Sequence, residues 1–232
     1  MGNRRGADRA DLSICSSGEP TASIASGYDA IAEEYVRHVF HELDGKPFDR
    51  DFLERFAAGC PKNGLILDLG CGPGHIGRYL AERGMRVCGL DISPRMVDLA
   101  RQLNPGMNVL LGDMRRLPFE RAAVAAIVAF YSIIHLPAAE LRAVFDEMFR
   151  VLQPGGTVAL AFHVGDEVVH VEQLWGVKTS IDFQFFDPRE VRGALTAAGF
   201  ELLECTEREP YAAPVEAQTR RCYMLARPFL SD

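Results

Sequence analysis

The chain has 232 residues, of which 48% are hydrophobic and 25% charged, and its formal net charge is −7. This composition excludes a mostly disordered chain, a collagen-like fibre and a disulfide-built miniprotein, and the length predicts one large domain. The net negative charge argues against a protein whose surface as a whole binds nucleic acid.

The first 22 residues predict a disordered leader, and residues 23–232 predict a single domain. No apolar segment follows the early arginines, so the leader is not a secretory signal. The six cysteines form no CxxC pair, which indicates reduced thiols in the cytoplasm and no structural metal site. The longest apolar run, residues 124–134, is too short to cross a membrane.

Short β-rich segments alternate with helical patterns along the chain. Helices are predicted over 26–41, 49–57, 75–83, 138–152 and 188–198, with a further helix that begins at Pro94. Strands are predicted over 65–69, 85–90, 108–111, 124–130, 157–162, 200–206 and 221–226. Alternation of this kind predicts an α/β fold with a seven-stranded, mostly parallel sheet and helices on both faces. No helix separates the last two strands, so the last strand should run antiparallel.

A glycine-rich turn follows the first strand and carries Gly70, Gly72 and Gly74, with one apolar residue between Asp68 and the first glycine. Glycines at this spacing let the backbone turn sharply and approach a ligand closely. Residues 72–77 also match the GxGxxG pattern of dinucleotide sites, which is not specific when it stands alone. A carboxylate before the glycines would repel a pyrophosphate but suits the ammonium group of an amino-acid-like ligand.

Residues 65–74 resemble motif I of the class I S-adenosylmethionine (SAM)-dependent methyltransferases. The resemblance extends from Tyr28 to Arg227, and further landmarks follow in the expected order at residues 89–93, 112–119, 130–136 and 150–156. One departure is visible, because many relatives have Phe-Asp where this chain has Val124-Ala125. The pattern is similar to a bacterial branch of small-molecule enzymes, of the methyltransferase-domain 11/25 type, and it implies a Rossmann-like fold.

The resemblance implies a SAM site without a metal. In it, Asp68 would lie near the methionine ammonium, Asp91 would accept both ribose hydroxyls, and Asp113 would accept from the adenine amino group. The implied cofactor-binding residues are Tyr28, Asp68, Gly70, Cys71, Gly72, Asp91, Ile92, Met96, Gly112, Asp113, Met114, Phe130 and His135.

Candidates for catalysis and acceptor binding come from three segments. The first is the helical segment 26–57, which resembles the family's lid, although Tyr28 and Tyr35 also suit core packing. The second follows strands four and five, where histidine is the side chain best suited as a base near neutral pH. The third is the apolar interruption 163–186, which predicts a substrate lid or, alternatively, a β-hairpin packed on the core or a partner. The catalytic candidates are His135, His163 and Tyr28, and the acceptor-binding candidates are Tyr35, Tyr131, Trp175 and Arg220.

These features predict a SAM-dependent methyltransferase that acts on oxygen or nitrogen of a small molecule by in-line displacement. The prediction includes no nucleic-acid or membrane partner and a monomer or homodimer. The alternatives are an RNA or protein methyltransferase, a non-catalytic SAM-binding regulatory module and an NAD-dependent oxidoreductase. NAD binding in place of SAM binding would favour the last of these.

Overall fold

The computed structural model describes residues 20–229, and it describes side chains from residue 24 onward. The predicted leader spans residues 1–22, and its residues 1–19 lie outside the described part of the chain. The first helix begins at Pro20. Within residues 20–229, no helix combines the length and the apolar character that a membrane span requires.

The central sheet has seven strands in the order β3-β2-β1-β4-β5-β9-β8. Six strands run in one direction, and β9 runs antiparallel to both of its neighbours, β5 and β8. The predicted fold class is therefore confirmed. The strands are β1 (Leu65–Leu69), β2 (Arg86–Asp91), β3 (Asn108–Leu111), β4 (Val124–Phe130), β5 (Leu152–His163), β8 (Phe200–Arg208) and β9 (Arg221–Pro228), with β6 (Val168–Leu174) and β7 (Val177–Gln184) outside the sheet.

Within residues 20–229, six α-helices accompany the strands: α1 (Pro20–Val39), α2 (Pro47–Gly59), α3 (His75–Ala81), α4 (Pro94–Leu103), α5 (Leu141–Val151) and α6 (Pro188–Ala197). Two apolar cores form, one with α5 and α6 and the other with α2, α3 and α4. All seven residues of β4 are buried between them, which explains the nearly continuous apolar run in its sequence.

Two helices begin at the N-cap residues that the sequence predicted. The Ser93 hydroxyl accepts from the Met96 N–H at the start of α4, and the Asp187 carboxylate accepts from the Arg189 N–H at the start of α6. The helix predicted over 138–152 is shorter, because a 3-10 turn occupies Ala138–Glu140 before α5. Strand β5 is longer than predicted, since Leu152 already pairs with Val124.

The interruption at residues 163–186 contains an antiparallel hairpin formed by β6 and β7. Its turn, Trp175-Gly176, has φ values of 51° and 83°, the left-handed conformations that a two-residue hairpin turn needs. The hairpin packs against α1, where the Thr179 hydroxyl donates to the Gly27 carbonyl at 2.8 Å. A Cβ on Gly27 would lie only 2.7 Å from Ile181 Cγ1, so the small residue permits this close approach.

The segment predicted as a helical lid, residues 26–57, divides into two parts with different surroundings. Helix α1 crosses the carboxyl edge of the sheet and supplies Tyr28 and Tyr35 to a cleft there. Helix α2 instead buries Phe52 and Phe56 in the core with α3 and α4, because its apolar stripe faces the sheet. Helix α2 is therefore part of the core, and the prediction that it belongs to a lid is wrong.

Candidate active site

A cleft of about 940 Å³ lies at the carboxyl ends of β1, β2 and β4, beneath α1. This is the edge at which open parallel sheets bind their ligands. The cleft brings together most residues that the sequence singles out: Tyr28, Tyr35, Asp68, Gly70, Cys71, Gly72, Asp91, Ile92, Met96, Gly112, Asp113, Met114, Phe130, Tyr131 and His135.

The glycine loop after β1 needs its glycines for both conformation and space. Gly70 has a φ of 66°, and a Cβ at this position would lie 2.3 Å from Ser132 Cβ. The loop is tied to the next strand, because the Gly70 and Cys71 N–H groups donate to the Leu90 carbonyl at 2.8 and 3.1 Å. A side chain at residue 70 would therefore displace the loop that follows β4.

Asp91 ends β2 and holds the glycine loop from the other side. Its Oδ2 accepts from the Gly72 N–H at 2.7 Å, and its Oδ1 accepts from the Ser93 N–H at 2.9 Å. Burial raises the pKa of the Asp91 carboxyl, and these hydrogen bonds partly oppose that shift. The carboxylate is thus fixed in orientation, and its remaining lone pairs are available to donors in the cleft.

Asp68 is buried in β1 at the floor of the cleft. Its Oδ2 accepts from the Gly77 N–H in α3 at 2.9 Å. Burial raises the pKa of this carboxyl to about 7. Near neutral pH its charge therefore depends on what lies beside it, and a cationic ligand would favour the ionised form.

Asp113 and Arg115 form an ion pair at the far end of the cleft. Burial alone would raise the pKa of Asp113, but hydrogen bonds from the Arg115 guanidinium hold it below its usual value. The Arg115 Nε lies 3.0 Å from each Asp113 oxygen. Asp113 therefore stays ionised, and Arg115, which the sequence did not single out, also lines the cleft.

Tyr28 and His135 are joined by a hydrogen bond of 2.8 Å between the hydroxyl and Nε2. The His135 Nδ1 lies 3.0 Å from the Asp182 carbonyl oxygen of β7. Because a carbonyl only accepts, Nδ1 carries the proton and Nε2 accepts from the Tyr28 hydroxyl. Burial lowers the pKa of His135 to about 4, so the ring is neutral at physiological pH.

Helix α1 is fastened above Asp91 by polar contacts to α4. Asp29 accepts from the Ser93 hydroxyl and, at 3.0 Å, from the Arg95 N–H. Glu33, one turn further along α1, forms an ion pair with Arg95. These contacts link the roof of the cleft to the same loop that orients Asp91.

Three predicted residues lie outside the cleft lining. His163 lies behind Tyr131, with 5.1 Å between the ring centroids, and its Nδ1 is 2.8 Å from the Thr219 hydroxyl. Burial and the charge of Arg221 lower the pKa of His163 to about 3. His163 is therefore a neutral side chain of the wall, not an accessible base.

Trp175 and Arg220 also lie away from the cleft. Trp175 meets Tyr35 edge to face at 5.8 Å and stacks on His38 at 4.7 Å, so it covers α1 from outside. Arg220 is exposed and pairs with Glu207 at 2.6 Å. Neighbouring residues of extended chain point to opposite sides, and it is Arg221 that points inward, so the assignment of Arg220 to the acceptor site is corrected.

Glu42 and His75 line the cleft, although the sequence singled out neither. Glu42 begins the 3-10 turn Glu42–Gly45, and its Oε1 lies 3.0 Å from His75 Nε2. Its Oε2 accepts from Lys46 Nζ at 2.6 Å. Burial opposes ionisation, but His75 and Lys46 outweigh it and lower the pKa of Glu42 to about 2. Only the position of His75 directly after the glycine turn could have marked this pair in the sequence.

Two buried polar atoms of the cleft lining have no hydrogen-bond partner among the described residues. They are the Ser132 hydroxyl oxygen and His75 Nδ1. Buried polar atoms are nearly always paired with protein, ligand or ordered water, so both atoms are available to a polar ligand. No grouping of histidine, cysteine, aspartate and glutamate in residues 20–229 could hold a metal ion.

Comparison with known proteins places this site in context. Residues 66–156 match the family model described as a methyltransferase domain. A malonyl-[acyl-carrier protein] O-methyltransferase from Serratia marcescens is 34% identical over 159 residues, which cover 66% of this chain and 62% of that protein. The enzyme of the same name from Salmonella typhimurium is 34% identical over 153 residues, which cover 66% of this chain and 58% of that protein. The chain thus spans about three fifths of the length of these relatives.

A solved structure with the same fold extends over more of the chain. The DhpI–SAH complex, where SAH stands for S-adenosylhomocysteine, superposes with a TM-score of 0.71 and 26% identity, covering 92% of this chain and 98% of DhpI. A methyltransferase from Methanosarcina mazei superposes with a TM-score of 0.67 at 21% identity, over 75% of this chain and 96% of that one. The second likeness concerns the fold alone.

Proposed function

We propose that the chain is a class I SAM-dependent methyltransferase and that it methylates oxygen or nitrogen of a small-molecule acceptor. One observation carries the proposal: a glycine loop without room for side chains is held by Asp91 beside the buried Asp68. This arrangement suits a ligand with a cationic amino-acid end and a ribose. Both relatives named above are O-methyltransferases, which supports oxygen as the acceptor atom.

The residues of the cleft fit SAM. Asp68 would hold the ammonium group and Asp91 the two ribose hydroxyls, while Ile92 and Met96 would pack against adenine and Asp113 would accept from its amino group. The unpartnered Ser132 hydroxyl supports a polar ligand. When bound, SAM supplies a methyl group on a sulfonium, which an acceptor displaces in line.

The protein's own contribution is positioning and the exclusion of water. Helix α1 covers the cleft, and the hairpin packs on α1. Tyr28 and Tyr35 offer aromatic faces, which attract a nearby cation. The Tyr28 hydroxyl donates its hydrogen bond to His135, so its oxygen lone pairs remain available inside the cleft. We assign Tyr28 the role of orienting the reacting groups and His135 that of holding Tyr28, with His163 supporting the Tyr131 wall.

The partners proposed here follow from the same site. The cleft lining holds four carboxylates and a single arginine, Arg115, which suits a small cationic molecule and not nucleic acid. The five cysteines in the described part of the chain are all free thiols, which supports a reducing cytoplasm. We propose a monomer or a homodimer that needs no membrane.

Methyl transfer is tested with SAM labelled in its methyl group and fractionated bacterial metabolites as acceptors. The proposal predicts label in a small-molecule fraction and equimolar S-adenosylhomocysteine (SAH). Label on RNA or on the amino-acid side chains of a protein would contradict the acceptor class. SAH binding with no transfer to any fraction would favour a regulatory module.

Replacing Tyr28 with phenylalanine should lower kcat about 10- to 100-fold and change the KM for SAM less than about threefold, because only the orienting oxygen is lost. Tyr79→Phe removes a surface hydroxyl bonded to Glu54 and serves as the control. In the wild type, kcat should show no inflection near pH 6.5, since the pKa of His135 is about 4. An unchanged kcat in Tyr28→Phe would contradict the role of this side chain.

The affinity for SAH should fall as the pH falls below 7. The pKa of Asp68 is about 7 in the empty cleft, and a bound ammonium favours the ionised carboxylate. Binding should therefore release a proton near pH 7 and weaken by up to about tenfold per pH unit below it. Calorimetry at pH 6, 7 and 8 in two buffers measures both effects. Equal affinities at all three pH values would show that Asp68 does not meet the ammonium.

A further inference from the structure

Glu42 and His75 form a polar pair in the cleft wall that lies outside the glycine loop and the sheet. Glu42 belongs to the 3-10 turn after α1, and His75 is the first residue of α3. Both line the cleft together with Tyr35 and Gly72. Tyr35 crosses this end of the loop, because a Cβ on Gly72 would lie 3.7 Å from Tyr35 Cε1.

The negative charge of Glu42 is fixed from behind. Lys46 Nζ donates to its Oε2 at 2.6 Å and also lies 3.8 Å from Glu216. The Lys46 side chain is 5% exposed and is not among the cleft-lining residues, so its charge supports Glu42 without facing the ligand. Glu42 stays ionised with a pKa of about 2, whereas the pKa of Asp68 is about 7.

His75 adds a second acceptor to the same wall. Its side chain is 10% exposed, and its Nε2 is bonded to Glu42, which as an ionised carboxylate can only accept. In the neutral ring the proton therefore lies on Nε2, and Nδ1 carries a lone pair. This Nδ1 is buried and finds no partner among the described residues.

We propose that Glu42 and His75 bind the ammonium group at the amino-acid end of the cofactor, together with Asp68. This inference rests on the proposed SAM binding. An ammonium group brings three N–H donors and no acceptor, and the wall offers it the Glu42 carboxylate and the Nδ1 lone pair. A ligand carboxylate in the same position would meet the charge of Glu42 and no donor from Nδ1. The cofactor's carboxylate should therefore point away from this pair.

Calorimetric binding to four ligands tests the assignment. SAH carries the whole amino-acid end, 5′-methylthioadenosine lacks it, decarboxylated SAH keeps only the amine, and deaminated SAH keeps only the carboxylate. Glu42→Gln should weaken SAH and decarboxylated SAH at least about tenfold and leave the other two within about twofold. Glu82→Gln, an exposed carboxylate at the end of α3, is the matched control and should leave all four unchanged.

His75→Phe provides a second variant that keeps Glu42 and Lys46 paired, in case loss of the Glu42 charge prevents folding. It should weaken the two amine-bearing ligands about three- to tenfold and spare 5′-methylthioadenosine. Unchanged SAH binding in both variants would overturn the inference, and so would equal weakening of all four ligands or selective weakening of deaminated SAH. Failure of the wild type to bind SAH would instead contradict the proposed function itself.

Discussion

Gly70→Ala should lower the affinity for SAH at least about 100-fold and lower the free energy of unfolding by about 2–5 kcal/mol. Two costs combine in this figure. The φ of 66° disfavours any residue with a Cβ by about 1–2 kcal/mol, and the new methyl group would lie 2.3 Å from Ser132 Cβ. Relief of that clash must move either the glycine loop or the segment after β4, and both line the cleft.

Gly84→Ala separates the two costs. Gly84 has a φ of 83°, but nothing lies within 4 Å of its added Cβ. It should therefore lower the free energy of unfolding by about 1–2 kcal/mol and leave SAH affinity unchanged. Denaturant unfolding and calorimetry measure both quantities. Equal stability loss in the two variants, with SAH binding retained in Gly70→Ala, would contradict the close packing of this loop.

Asp91→Ala should reduce SAH affinity at least about 100-fold, because two charge-assisted hydrogen bonds to the ribose are each worth about 1.5–3 kcal/mol. The variant also releases the Gly72 N–H, which donates to Asp91 at 2.7 Å, so the loop loses its support on that side. Titration with SAH measures the loss, and thermal unfolding reports whether the domain remains folded.

Asp98→Ala is the control for Asp91→Ala. It removes the same carboxylate from an exposed position of α4, where Asp98 lies 4.0 Å from Arg101. SAH affinity should stay within about twofold of the wild type, since exposed pairs contribute little. If Asp91→Ala binds SAH as tightly as Asp98→Ala does, the ribose does not meet Asp91.

Segments with strong local signals were predicted well from the sequence. The predicted bounds of β1, β3 and β4 agree with the structure, because each strand is a short, mainly apolar run, and glycine follows β1 and β3. The loop glycines and Asp91 were found for a similar reason. Their spacing is local, and the backbone conformation that they adopt follows directly from residue type.

Contacts between distant segments could not be predicted in this way. Tyr28 meets His135 across 107 positions of sequence, and Glu42 meets His75 across 33, so no spacing rule connects either pair. The same limit explains the error at Arg220. Its side of the chain depends on the register of β9 against β5, where Arg221 pairs with His163. A shift of one residue exchanges the inward and outward side chains.

Calorimetric titration of the unmodified protein with SAH, with NAD in parallel, tests cofactor binding most directly. We expect saturable one-to-one binding of SAH and no heat from NAD, with a matching rise in Tm in the presence of SAH, because a ligand of the native state raises apparent stability. Binding of NAD without binding of SAH would contradict the assignment of this cleft to SAM.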